Sequence, residues 1–277
     1  MERRRAFLNK IVLLVALLPA TPLFAQFDFP TLGGRGAAMG GVGVALDDEV
    51  SAMYGVAALA SKEQASVALA ARQSYLAEGM GYALLGGIVP VGFGSTALSV
   101  THYGNADYNE QQASLSYAVP LGQNVSLGAA FHYLHSGTSD PYYDPLNNIT
   151  FSLALRYEAG KNLAVAFKAF NPTAVVANEA NSQHIPSLFT LGVAYRLIDE
   201  LLTVGEVEKN LYQSATLRFG LEYELQEIYY FRLGMNTFPA IYTLGFGLDK
   251  KHFCADIAVQ IHNVLGVTPN LSIVYIF

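Results

Sequence analysis

Two places in the sequence set imidazole close to hydroxyl: Ser99 with His102, and His132 and His135 with Ser136. A histidine beside a serine can serve as general base to a nucleophile, provided an acid holds the ring in one tautomer. No acid, histidine and serine constellation with a recognisable local motif accompanies either group, so no catalytic residue is assigned. Carboxylates offer a second chemistry. In "GEVEKN", Glu206 and Glu208 continue the face of Leu202 and Val204. Exposed there, they would bridge lipopolysaccharide through divalent cations; turned inward by a bulge, they would meet arginines. "SGTSDPYYDPLNN" carries two acids around Tyr142 and Tyr143, a set suited to calcium or a glycan, although its composition is that of a surface turn. No metal site and no cofactor is expected.

The elements that position these groups follow from composition. The chain opens "MERRRAFLNKIVLLVALLPATPLFAQ", with a basic start, an apolar centre and a small residue, Ala25, at the expected cut. Residues 1–25 are therefore read as a secretory signal peptide. Beyond them the chain is unusually apolar: 52% of all residues are hydrophobic, 14% are charged, and the mean hydropathy is +0.29. No later apolar run reaches the ~18 residues of a spanning helix. An exported apolar chain without such helices satisfies its backbone in lipid only as a closed β-barrel. The lone Cys254 excludes an internal disulfide framework, and a net charge of -6 without a basic cluster argues against nucleic acid as a partner.

Alternation supports the barrel. In "NITFSLALRYEAG", Ile149, Phe151, Leu153, Leu155 and Tyr157 share one face, and Thr150, Ser152, Ala154, Arg156 and Glu158 the other. "SATLRFGLEYEL" repeats the pattern, with an apolar stripe for lipid and a polar stripe for a lumen. A soluble sandwich would also alternate, but with more charge on its outward faces. Fourteen strands are read between 65–76 and 269–277, joined alternately by short turns such as "ID" and "KK" and by longer loops. That arrangement places both chain ends on the periplasmic side of an outer membrane. The last strand, "LSIVYIF", ends with Tyr275 and Phe277, which are expected to be the signal read by the barrel assembly machinery. The other surroundings expected are outer-membrane lipid and lipopolysaccharide, with the 17 Tyr as interfacial anchors.

Residues 26–64 precede the first strand and hold "GGRGAAMGGVGVALDDEVSAMYGVAALA". Side chains this small suit a confined path, so the segment is expected to plug the lumen of the 65–277 barrel. Gly40, Gly41 and Gly43 would allow close backbone approach, and Asp47 or Asp48 would cap a short helix. Arg35 and the acids Asp47, Asp48 and Glu49 would meet lumen charges such as Arg156, Arg196, Arg218 and Arg232.

This segment, with its "AMGG" followed by an acidic pair, resembles the N-terminal part of FadL-like outer-membrane barrels and of the PorV and PorQ group linked to type IX secretion. The likeness runs loosely on through "FGLEYEL", "FRLGMN" and "LGVTPNLSIVYIF". It implies an all-β, fourteen-stranded antiparallel transmembrane barrel with its N-terminal segment inside. One departure bears on function: the family's "NPAGL" element is replaced by "YGVAAL" from Tyr54 to Leu59. With that element missing and no apolar pocket evident in the sequence, the expected function is a non-enzymatic scaffold or partner for export or envelope assembly. The second reading is a FadL-like transporter or narrow channel for a small hydrophobic solute. A hydrolase comes third.

Overall fold

The computed structural model describes residues 30–178, 183–211 and 213–277; the expected signal peptide, its cleavage after Ala25 and residues 26–29 lie outside the described residues. The strands are β1 (Ser66–Gln73), β2 (Gly81–Val91), β3 (Gly94–Gly104), β4 (Tyr108–Pro120), β5 (Val125–Thr138), β6 (Leu146–Ala159) and β7 (Leu163–Phe170). A two-stranded ladder, β8 (Val176–Asn178) and β9 (Gln183–His184), stands apart. The barrel resumes with β10 (Leu188–Ile198), β11 (Leu201–Asn210), β12 (Thr216–Leu225), β13 (Tyr229–Thr237), β14 (Ala240–Lys250), β15 (Phe253–His262) and β16 (Gly266–Ile276). Fourteen antiparallel strands thus form one closed barrel, β16 pairing with both β15 and β1. At the seam Ser66 lies opposite Ile276, and Phe277 N donates to Ala65 O at 2.9 Å.

The wall is inside out relative to a soluble protein. Phe131 is 67% exposed, whereas Ser152 is 0% exposed on the inner face of the adjacent strand. Large apolar side chains point outward all round, and alanines, serines and charged groups point inward, as a lipid belt around a filled lumen requires. β4 begins at Tyr108, earlier than its apolar stripe suggests, and β5 and β6 continue to Thr138 and from Leu146. The ladder from Tyr108 to Thr138 persists where outward residues are polar, because backbone pairing does not need lipid on the outer face.

Residues 30–65 run through the barrel. They form two short helices, α1 (Gly34–Ala38) and α2 (Glu49–Gly55), and a 3-10 turn over Ala57–Ser61. Asp48 caps α2, its side chain accepting from Ser51 N at 3.1 Å. The helix stops at Val56, whose φ of 66° breaks the repeat and separates it from the following 3-10 turn. Gly40 shows why small residues are used. A β-carbon there would sit 2.8 Å from Phe219 O and closer still to Met235 O, and its φ is 80°. Gly41 differs from the expectation of close approach. Its nearest neighbour is Arg218 at 3.7 Å, and its need for glycine lies in a φ of 86°.

Candidate functional site

The lumen segment is seated by polar contacts that the alternation of the wall strands brings inward. Arg35 donates from Nε to Glu222 Oε2 at 2.8 Å and from Nη2 to Oε1 at 2.7 Å. Its Nη1 reaches Asp47 at 3.2 Å and Asp48 at 3.6 Å. Glu222 is shared with Arg232, which continues to Asp256. Burial opposes the Arg35 charge, but Glu222, Asp47 and Asp48 outweigh it and hold the guanidinium well above its ordinary pKa.

A second anchor is Glu206. Its Oε2 accepts from Gly43 N and Val44 N, both at 2.9 Å, while Oε1 accepts from Arg218 at 2.7 Å. Arg218 also pairs with Glu208 at 2.7 Å. No bulge is needed to turn these acids inward. Leu202, Val204 and Glu206 are all buried on the lumen face, and the register from β11 to β12 is unbroken. The divalent-cation reading of Glu206 and Glu208 is thereby replaced by arginine pairing.

Several pairings expected from the sequence differ. Glu49 pairs with Lys62 of its own segment at 2.8 Å. Asp47 and Asp48 pair with Arg35. Arg156 binds Glu158 at 2.8 Å and donates to Ala45 O at 2.7 Å. Arg196 reaches Asp199 O at 2.7 Å and Glu224 at 3.7 Å, both at the barrel rim. The wall arginines are therefore neutralised mainly by wall acids: Glu158 for Arg156, Glu206 and Glu208 for Arg218, and Glu222 and Asp256 for Arg232.

The histidine and serine sets do not form a hydrolytic centre. Ser99 lines the interior while the side chain of His102 faces outward. His132 Nδ1 lies 2.8 Å from Ser114 Oγ and its Nε2 2.8 Å from Ser152 Oγ, with Gln112 at 3.1 Å. The ring is saturated by neutral partners. Among the described residues no group of three His, Cys, Asp or Glu is placed to hold a metal. In the Asp140 turn, Tyr142 N donates to Asp140 Oδ1 at 3.0 Å, and the two tyrosines stand exposed.

Beside the segment lies a cavity of about 70 Å³. Leu32, Val50, Met53 and Tyr54 of the segment face it from one side. Leu84, Phe170 and Leu188 add apolar wall, and Thr101, Gln112, Ser114, His132, Lys168 and Thr190 a polar margin. Lys168 continues the inward row of Ala164 and Ala166; its Nζ donates to Tyr54 O at 2.7 Å, at the C-terminal end of α2. Burial, then Glu208, raise the Tyr54 phenol well above its ordinary pKa, so it remains a donor, 3.4 Å from Glu208. At the end of the barrel carrying the longer loops, a vestibule of about 270 Å³ shares Pro30, Tyr54 and Leu188 with this cavity. At the opposite end, Arg35, Asp47, Arg156, Lys161 and Arg196 line a space of about 340 Å³. Sequence reasoning missed the cavity and Lys168; alternation through "LAVAFKAF" was the available signal for the lysine.

No protein-family profile and no curated protein matches the sequence. Solved structures do. The toluene transporter TodX of P. putida aligns with 90% of this chain and 99% of its own, at a TM-score of 0.68 and 11% identity. The toluene transporter TbuX of Ralstonia pickettii covers 90% and 98%, with 0.62 and 14%. A Pseudomonas aeruginosa FadL homologue covers 90% and 99%, with 0.65 and 12%. These likenesses overturn the scaffold expectation. The barrels that this chain resembles are described as transporters, and the apolar cavity thought missing is present beside the segment. They carry no support for the PorV and PorQ link or for type IX secretion. What they establish is the fold, a closed fourteen-stranded antiparallel barrel like that of the FadL homologue.

Proposed function

We propose that the protein is a non-enzymatic outer-membrane channel for small hydrophobic solutes, with residues 30–64 as its plug. The observation that carries this reading is the apolar cavity between plug and wall, which adjoins the loop-end vestibule and is separated from the opposite end by the seated segment. A solute entering from the loop end leaves water for Leu32, Val50, Met53 and Phe170, a transfer favourable by roughly 25 cal/mol per Å² of apolar area buried. Onward passage requires the plug to shift. The likeness to toluene transporters supports the solute class. In this reading the loop end faces outward, lipid and lipopolysaccharide surround the wall, and Tyr275 and Phe277 act as the assembly signal.

The test is uptake of labelled toluene by intact Gram-negative cells lacking other hydrocarbon channels, with and without the protein. A faster initial rate with the protein is expected. Equal rates, with the protein assembled in the outer membrane, overturn the proposal.

A further inference from the structure

The space of about 340 Å³ at the end away from the longer loops carries four cations, Arg35, Arg156, Lys161 and Arg196, against two acids, Asp47 and Glu158. Arg35 is taken up by Glu222 and the acids of its own segment. The other three keep donors to spare. Arg156 is 5% exposed and spends Nε on Glu158 and Nη1 on Ala45 O, but its Nη2 donates to no described residue. The Lys161 side chain, in the turn between β6 and β7, makes no ion pair among the described residues. Arg196 gives Nη1 to Asp199 O at 2.7 Å, with Glu224 no nearer than 3.7 Å. Between the strands of the two arginines runs β7. Its Ala164 lies opposite Glu158 of β6 and Ala194 of β10, so small side chains leave room where both guanidinium groups line the same space. A buried guanidinium with an unused amine calls for an acceptor. A chloride ion would meet it with a single charge. A phosphate group brings about −1.5 to −2 charge and three strong acceptor oxygens, enough for Arg156, Lys161 and Arg196 together.

We propose that this mouth is a phosphate-binding site, with Arg156 Nη2, Lys161 and Arg196 as its donors. It is a second site, at the opposite end of the central segment from the loop-end vestibule, and it does not depend on which solute the channel carries. Because Arg156 Nη1 also holds Ala45 O, the phosphate sits where plug and wall meet. In the orientation proposed above the site opens to the periplasm, where free phosphate and phospholipid headgroups both supply this chemistry.

Equilibrium dialysis of radiolabelled inorganic phosphate against the purified full chain in a maltoside detergent tests it, at constant ionic strength. Lys161→Gln, Arg196→Gln and Arg156→Lys are measured alongside, and heat-modifiable gel migration checks that each is folded. Saturable binding is expected in the wild type, weakened about tenfold by each substitution, the size expected of one hydrogen bond to a charged group. Arg156→Lys keeps the charge and removes the unused amine, so its effect separates a fitted donor from net charge. Short-chain phosphatidylglycerol, added below its micelle concentration, distinguishes the sources: displacement of labelled phosphate assigns the site to a lipid headgroup, and no displacement assigns it to the free ion. Absence of saturable phosphate binding overturns the proposal, and so does binding that Lys161→Gln and Arg196→Gln leave unchanged. Either result leaves the channel reading standing.

Discussion

Glu222→Gln is the perturbation from which most follows. The Glu222 side chain is 4% exposed and accepts from both Arg35 and Arg232. Removing its charge leaves two guanidinium groups facing a neutral amide. Breaking one partner out of a buried ion pair costs about 3–5 kcal/mol. Part of this is recovered here, because Arg35 keeps Asp47 at 3.2 Å and Arg232 keeps Asp256. A net loss of about 3 kcal/mol in plug seating would raise the unseated population roughly a hundredfold. The reporter is Ser51→Cys, nearly isosteric and buried in α2, in a Cys254→Ser background. Its rate of modification by a bulky maleimide should rise by about that factor when Glu222→Gln is added. Arg35→Gln should act in the same direction, and the two together should be less than additive. An unchanged rate in a folded Glu222→Gln barrel would refute the role of Glu222 in seating the segment.

Gly40→Ala meets Phe219 O and Met235 O and should lower stability by about 1–3 kcal/mol, read as an earlier loss of the heat-modifiable band. Gly41→Ala makes only ordinary contact with Arg218 at 3.7 Å and bears its backbone strain of about 1–2 kcal/mol, so it should be the milder of the pair. Phe277→Asp should reduce the amount of protein assembled in the outer membrane without changing its synthesis; unchanged yield would remove Phe277 from the assembly signal. Deleting residues 30–64 should raise single-channel conductance in a planar bilayer, and an unchanged conductance would show that the segment does not block the lumen.

Strand faces were legible because period-2 alternation is a local property: the stripes from Ile149 to Tyr157 and from Leu217 to Leu225 lie outward as read. Strand ends were less so, since β4 to β6 continue where the outward residues turn polar. Ion pairing was half legible. The arginines announced themselves, but their partners are set by register, which places Glu206 opposite Arg218 and Glu222 opposite Arg232. The leaning of Leu202 and Val204 toward lipid failed because apolar residues also line a lumen that is filled by Val44, Ala45 and Leu46. The cavity was beyond local reading altogether. It is made by residues of the central segment meeting several strands, a juxtaposition that only the closed barrel creates.

The most direct test of a channel working through that cavity is to fill it. Thr101 lines the space from β3, and Thr101→Phe would place a ring where the solute is expected. Initial toluene uptake should be compared in intact cells producing the wild type, Thr101→Phe or no barrel, at matched amounts of outer-membrane protein. The account predicts faster uptake with the wild type and a return to the background rate with Thr101→Phe. Uptake by Thr101→Phe equal to that of the wild type would contradict it.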